Sequence, residues 1–334
     1  MATRRIVVIG ASAGGIEALR TLVGGLPPDF QTPIAVVLHM PPQAPGVLAE
    51  ILDRVGPLRA TNAVNSERIQ PGHIHVAPPD WHLVVEPGKL RVVKGPRENR
   101  FRPAIDPLFR SAAQVYGPAA VGVLLTGSLD DGTAGMWAIK QLGGTTIVQD
   151  PAEALFSSMP QSAIDHVQVD HVVPLARIPP LLVELTSLPV PERTMPVPEL
   201  MNVEVKIAME NNPIDAGFER MAEPSRFACP ECHGVLLQIK EGTLTRFRCH
   251  TGHAYSVASL LAAISEGIEE GLWIAIRALE EGQLLMGRMA EHVRSHDAAE
   301  AQQLCDRADE AKRHSDMLRK MVTQRVPSTT TTTD

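Results

Sequence analysis

From Arg5 to about Leu185, apolar runs alternate with stretches whose apolar residues recur every three or four positions: RIVVIG then IEALRTLVGGL, PIAVVLH then GVLAEILDRV, AAVGVLLTG then TAGMWAIKQLG, TTIVQD then PQSAI. Continuous Val/Ile/Leu runs suit strands buried on both faces, and the intervening periodicity gives each helix one apolar stripe. The pattern predicts an α/β domain over residues 1–187, a doubly wound and mostly parallel sheet with helices on both faces. Between about Arg59 and Lys94 the runs shorten and alternate (HIHVAPP, HLVVE, KLRVVK), split by Gly72 and Pro87-Gly88. These predict an insert of antiparallel hairpins attached to the sheet.

Downstream the pattern breaks. Residues 188–227 are rich in proline with little periodicity, which reads as a linker. Residues 228–256 hold a cysteine and histidine cluster with little apolar content of its own. Residues 257–322 return to helical spacing, with Leu261, Ile264, Ile268, Leu272, Ile276 and Leu279 three or four apart. A helical hairpin and a homodimer seam both fit that spacing. Glu269, Glu270, Glu280 and Glu281 fall between the apolar positions as a solvated face. The threonine-rich end, 323–334, is low-complexity and expected to be disordered.

Composition narrows the function classes. With 334 residues, 44% of them hydrophobic, the chain can bury one good core and a second, smaller unit. A net charge of −7 gives no general attraction to nucleic acid, which needs clustered Lys and Arg. No apolar run reaches 18 residues and the N-terminus lacks a signal-peptide pattern, so no membrane insertion and a cytoplasmic setting are expected. In that reducing compartment Cys229-x2-Cys232 points to metal or redox chemistry before disulfides, and Cys305 reads as a spectator.

The first strand runs into a glycine-rich turn, IGASAGG. A dinucleotide fingerprint would need glycine where Ser12 stands and an acidic residue where the next strand ends in His39. Acyl chemistry fits better. A serine beside the amides that open a helix sits where an oxyanion is stabilised, and the flanking Gly14 and Gly15 leave room for substrate. His39 can act as its base. A third strand runs into SLDDGTAG, so either Asp130 or Asp131 can orient the imidazole. Each residue alone also has an ordinary structural use, as a cap, a core histidine or a turn; three predicted strand ends coinciding is the stronger signal.

Taken together, IGASAGG, VVLHMPP, APPDWHL, RPAIDPLF, LTGSLDDGTAG and QDPAEALFSSMPQSAI closely resemble the CheB-type protein-glutamate methylesterases of bacterial chemotaxis. The resemblance implies a serine hydrolase that removes methyl esters from glutamates of chemoreceptors or similar signalling proteins, releases methanol, and often deamidates glutamines. It places the nucleophile on Ser12, the histidine on His39 and the aspartate on Asp131 rather than Asp130, with no cofactor for catalysis. Where the family loop reads T-G-M-G-x-D-G this chain has Ser128 and Leu129. Arg102 and Met159 lie in well-matched segments as candidates for the cleft, with a structural salt bridge and core packing as their equal alternatives. No phosphorylatable receiver segment precedes the esterase pattern, so control is expected from the C-terminal region or a regulatory partner. The rival readings are a non-catalytic nucleotide-binding or regulatory module and an esterase or deamidase acting outside chemotaxis.

In CPECHGVLLQIKEGTLTRFRCHTGHAYS, Cys229-x2-Cys232 is followed after sixteen residues by Cys249 and then by His253. Two such pairs suit one tetrahedral structural zinc with no open position. His233 and His250 are rival fourth ligands; resemblance to the FRC-x-x-GH-x-[YF] extensions of some stand-alone CheB-like proteins favours His253.

Overall fold

The computed structural model describes residues 5–210 and 217–324; the threonine-rich end beyond 324 lies outside them. Strands β1 (Ile6–Ala11), β2 (Ile34–Leu38), β3 (Arg59–Asn62), β4 (His73–Val76), β7 (Ala120–Leu124), β8 (Thr145–Gln149) and β9 (His171–Val173) form one sheet, ordered β3-β4-β2-β1-β7-β8-β9. Every pairing in it is parallel. The continuous apolar runs are the central strands: β1, β2 and β7 are buried at every residue.

Successive side chains of β1 serve opposite layers. Val7 and Ile9 join Leu19, Leu22, Leu52 and Leu182 of helices α1 (Gly15–Gly24), α2 (Leu48–Val55) and α6 (Ile178–Ser187). Ile6 and Val8 join Phe109, Ile139 and Met159 of α3 (Ile105–Tyr116), α4 (Thr133–Gln141) and α5 (Ser158–His166). The chain winds from β1 first to β2 and later back to β7 on the other side. The strand order therefore reverses at β1, where open parallel sheets form their ligand crevice.

The predicted hairpin insert is only half antiparallel. One hairpin forms, β5 (His82–Glu86) with β6 (Lys89–Val93). Strands β3 and β4 instead extend the parallel sheet at its edge. Their alternation misled because His73 and His75 are buried polar residues with partners: His75 Nδ1 lies 2.7 Å from Glu67 Oε1, and His73 Nε2 lies 2.8 Å from the Thr61 hydroxyl. A buried histidine reads as a polar position in sequence.

The proline-rich stretch 188–227 also carries structure. It holds α7 (Glu199–Glu210), whose Val205 and Ala208 pack on Val84 and Val93 of the hairpin. It then enters β10 (Glu223–Ala228), the first strand of an antiparallel sheet completed by β11 (Val235–Glu241), β12 (Leu244–Cys249) and β13 (Ala254–Ser256). The chain as far as Leu260 is one compact unit. The second unit, from Leu261 onward, is a pair of helices: most of α8 (Val257–Val293), and α9 (Ala298–Thr323). Asp297 caps α9 by accepting from Glu300 N. Ala301, Leu304, Ala308, Ala311, Ser315 and Val322 form the buried seam of α9, a three-four spacing that suits helix pairing. Glu280 of the expected solvated face instead accepts from Ser315 and pairs with Arg319 of α9. Leu261 and Ile268 are exposed, since the shorter α9 cannot line the whole of α8. No helix among the described residues is long and apolar enough to cross a membrane.

Candidate active site

Three strand ends meet at the reversal point. Ser12 follows β1, His39 follows β2, and Asp131 ends the loop after β7. The Ser12 amide donates to Thr126 O at 3.0 Å, and the His39 amide donates to Ala11 O at 3.1 Å, so neighbouring strands fix both backbones. Ser12 Oγ lies 3.0 Å from His39 Nδ1, and His39 Nε2 lies 2.6 Å from Asp131 Oδ2. The imidazole is buried, stacked on Phe101 with ring centroids 3.8 Å apart and planes 7° from parallel. With Nε2–H donated to the carboxylate, Nδ1 carries the lone pair that faces the serine.

Asp131 is built to stay ionised. Burial pushes its carboxyl up, but the His39 bond, the Ile105 amide and the Asn99 side chain more than offset that and hold it at about 2. Ile105 N donates to Oδ2 at 2.7 Å, so the carboxylate also caps the N-terminus of α3. Asn99 Nδ2 donates to Oδ1 at 2.8 Å. Asp130 faces away from the imidazole: it accepts from Ser256 Oγ at 2.6 Å and lines a separate cavity of about 310 Å³ with His166 and Thr245. Burial, with Asp131 beside it, raises the Asp130 carboxyl to about 6.

The glycines around Ser12 have packing reasons. Gly14 holds φ +74°, a left-handed turn into α1, and a Cβ on Gly15 would lie 2.6 Å from Leu38. Gly15 therefore makes room for the core, where the sequence suggested room for substrate. A Cβ on Gly127 would lie 2.4 Å from Met159 Cε and 2.8 Å from Ser12 Cβ. Met159 is thus a core residue that seats the serine loop. Leu129, where the resembling loops carry glycine, takes φ +64°.

Ser12 and His39 open on a cleft of about 270 Å³ lined by Met40, Pro41, Arg97, Arg100, Phe101 and Arg102. Arg102 lines it while bound to Asp80, with Nε at 2.9 Å and Nη2 at 2.7 Å from Oδ1. Sequence reading did not single out Phe101, which stacks on the imidazole, or Asn99, which holds the aspartate. Both sit in ENRFRP, a polar loop without periodicity. Asn99 at φ +49° and Arg100 at φ +76° both take left-handed backbone there, which no pattern in the sequence marks.

The cysteine and histidine cluster also assembles. Cys229, Cys232, Cys249 and His253 place one ligand atom each within 4.8 Å of the others, and no cysteine is in a disulfide. The Cys232–Cys249 sulfur separation is 3.5 Å, and His253 Nδ1 is 3.6 Å from the sulfurs of both Cys229 and Cys249. Bonds of about 2.3 Å to sulfur and about 2.0 Å to nitrogen around a tetrahedral zinc set its ligand atoms about 3.5–3.8 Å apart. The donor set fits. His253 Nε2 faces Glu231 at 3.4 Å, the outer partner such a ligand requires. His250 instead packs on Gly234, and His233 is outside the group.

The CheB methylesterase family model matches residues 7–182, more than half of the chain. This chain belongs to the CheB methylesterase family. It is 41% identical over 180 residues to a Leptospira interrogans protein named "Putative protein-glutamate methylesterase/protein-glutamine glutaminase", covering 54% of this chain and 93% of that one. An Anaeromyxobacter dehalogenans protein-glutamate methylesterase/protein-glutamine glutaminase is 42% identical over 181 residues, 54% of this chain and 53% of its own length. The crystal structure of the Thermotoga maritima CheB methylesterase catalytic domain superposes with a TM-score of 0.53 at 38% identity, covering 55% of this chain and 98% of that domain. The CheB match stops at residue 182, so α7, the antiparallel sheet and the helix pair lie beyond it.

Proposed function

We propose that this chain is a protein-glutamate methylesterase, a serine hydrolase that cleaves methyl esters of glutamate side chains on methylated chemoreceptors or similar signalling proteins. The unbroken chain Ser12 Oγ, His39, Asp131 within a CheB-family domain carries this reading. Ser12 gives its proton to His39 Nδ1 as Oγ attacks the ester carbonyl. Amides at the start of α1 and its dipole suit the oxyanion that forms. The protonated Nδ1 then passes its proton to the departing methoxide, and methanol leaves. An acyl ester between Ser12 and the glutamyl side chain remains. Water attacks it with His39 again as base, freeing glutamate and restoring the serine. A glutamine amide reacts through the same steps and releases ammonia. Arg97, Arg100 and Arg102 around the cleft suit an acidic peptide and the carboxylate product.

Cys229, Cys232, Cys249 and His253 would hold a structural zinc, which joins the ends of a small sheet poor in apolar core. Thiolate ligands are in keeping with the cytoplasm. Exposed Leu261 and Ile268, seven residues apart on one side of α8, favour self-association through that helix.

Methanol release from methylated receptor membranes tests the enzyme reading. Ser12→Ala is expected to lose turnover and labelling by a fluorophosphonate probe while retaining its fold. Turnover or labelling near wild type in that variant ends it, and an unlabelled wild type favours a non-catalytic module.

A further inference from the structure

The antiparallel sheet β10–β13 lies outside the family match, yet it reaches the triad through one residue. Backbone Asn99 N donates to Ala254 O at 2.8 Å, and Ala254 N donates back to Arg97 O at 3.1 Å, so the loop 97–99 pairs with β13. The Asn99 side chain is buried and all its capacity is used. Its two N–H groups go to Asp131 Oδ1 at 2.8 Å and Asp106 Oδ2 at 3.0 Å. Its oxygen accepts from Ser256 N at 2.9 Å and Ser259 Oγ at 3.0 Å. Those two donors fix which end of the amide points at the carboxylates.

We propose that Asn99 is a positioning residue for the Asp131–His39 pair, held by Ser256 and Ser259, so that the C-terminal sheet is a working part of the esterase. The argument rests on the catalytic reading of Ser12, His39 and Asp131. Asp131 and Asp106 are both buried carboxyl groups, Asp106 pushed well up toward its neutral form by burial and by Asp131 beside it, and a neutral side chain with two N–H groups bridges them without adding charge. A released amide could turn its oxygen toward Asp131, replacing attraction with repulsion and tilting the carboxylate from Nε2. Ser256 and Ser259 prevent that turn. They are themselves fixed at the start of α8, where Ser259 N donates to Ser256 Oγ at 2.9 Å and the one Ser256 N–H is shared between Asn99 Oδ1 and Ser259 Oγ, each at 2.9 Å. A second tie holds the loop to the sheet. Glu98, Arg110, Glu204 and Arg248 form a buried ion cluster in which Arg248 of β12 reaches Glu98 at 3.0 Å and Glu204 at 2.9 Å.

The test is a double-mutant cycle in the full chain, followed by kcat and KM on one methylated receptor peptide well below the melting temperature. Asn99→Gly removes the side chain while tolerating the left-handed backbone, and Ser259→Ala removes one of its two anchors. Asn99→Gly should lower kcat by about tenfold or more, and Ser259→Ala by about threefold, with KM nearly unchanged, as expected for a misplaced catalytic pair. The double variant should fall no further than Asn99→Gly alone, because the serine acts through the asparagine. Ser259→Cys, with similar volume and a weaker donor, takes the place of Ser259→Ala if that variant melts below the assay temperature. Multiplicative losses, or wild-type kcat in Asn99→Gly or the Ser259 variant, overturn the proposal. If Ser12→Ala also keeps its turnover, the catalytic reading itself has failed; if Ser12→Ala is dead while the Asn99 and Ser259 variants are fully active, only the positioning role has.

Discussion

Asp131 and Asp130 are adjacent but titrate in opposite directions, because one faces donors and the other faces burial with little relief. For Asp131 the folded value of about 2 lies below the ordinary carboxyl value of 3.8. Its contribution to stability is full above pH 3.8 and is lost as pH falls through about 2. For Asp130 the folded value of about 6 lies above 3.8, so its contribution is present below 3.8 and lost as pH rises through 6. Asp130→Asn, which keeps an acceptor for Ser256, should therefore stabilise the protein at pH 7 by about 1–3 kcal/mol. That gain should vanish below about pH 4, as urea unfolding across pH would show. Asp131→Asn is expected to behave otherwise: an amide N–H facing His39 Nε2 moves the ring proton to Nδ1, where it cannot accept from Ser12. Steady-state kinetics should record a loss of about three to four orders of magnitude in kcat for Asp131→Asn and little for Asp130→Asn.

At the scale of elements, α7 joins the sheet β10–β13 to the esterase through apolar contact on both sides, Ile207 with Ile239 and Val205 with Val84, and through a buried charge cluster. Glu204 is buried among Arg110, Arg246 and Arg248. Burial alone would raise its carboxyl, but the three guanidinium groups hold it well below its usual range. Removing that charge leaves three buried guanidinium groups sharing only Glu98 and Glu241, one positive charge in excess, which is more costly than the intact cluster is stabilising. Glu204→Gln should lower the unfolding free energy by about 3–5 kcal/mol. Chemical denaturation measures this, and a change under about 1 kcal/mol would mean that water already screens the cluster. Proline content and absent periodicity predicted a linker here, since α7 packs partly through a charged residue and hydropathy patterns register only apolar faces.

For the whole molecule, the proposed zinc site and the proposed triad lie in one compact unit. His253 is followed at once by β13, whose Ala254 and Ser256 grip Asn99. Purified protein should contain about one zinc per chain, measured by elemental analysis. Chelation should lower the melting temperature and, with it, kcat more than KM. Metal-free protein with an unchanged melting profile would exclude a structural ion, and stripped protein with unchanged kcat would show that the sheet holds Asn99 without it.

The sequence by itself determined the parallel α/β fold, because buried strands and amphipathic helices leave their periods in the order of residues. It also determined the three chemistry-bearing strand ends, since a wound parallel sheet must gather them on one edge. The spacing of Cys229, Cys232 and Cys249 likewise points to one group, and the resemblance marks His253 among three histidines as its fourth member. What these residues touch depends on contacts between distant parts of the chain. Spacing leaves Asp130 and Asp131 open and the family resemblance favours Asp131; it faces the imidazole while also capping α3, a helix that begins 26 residues earlier. His73 and His75 belong to a parallel edge because Thr61 and Glu67 satisfy them in the core. Asn99 joins Asp131 to Ser256 and Ser259, more than 150 positions away. Hydrogen bonds between residues so far apart have no period in the chain, so no local pattern announces them.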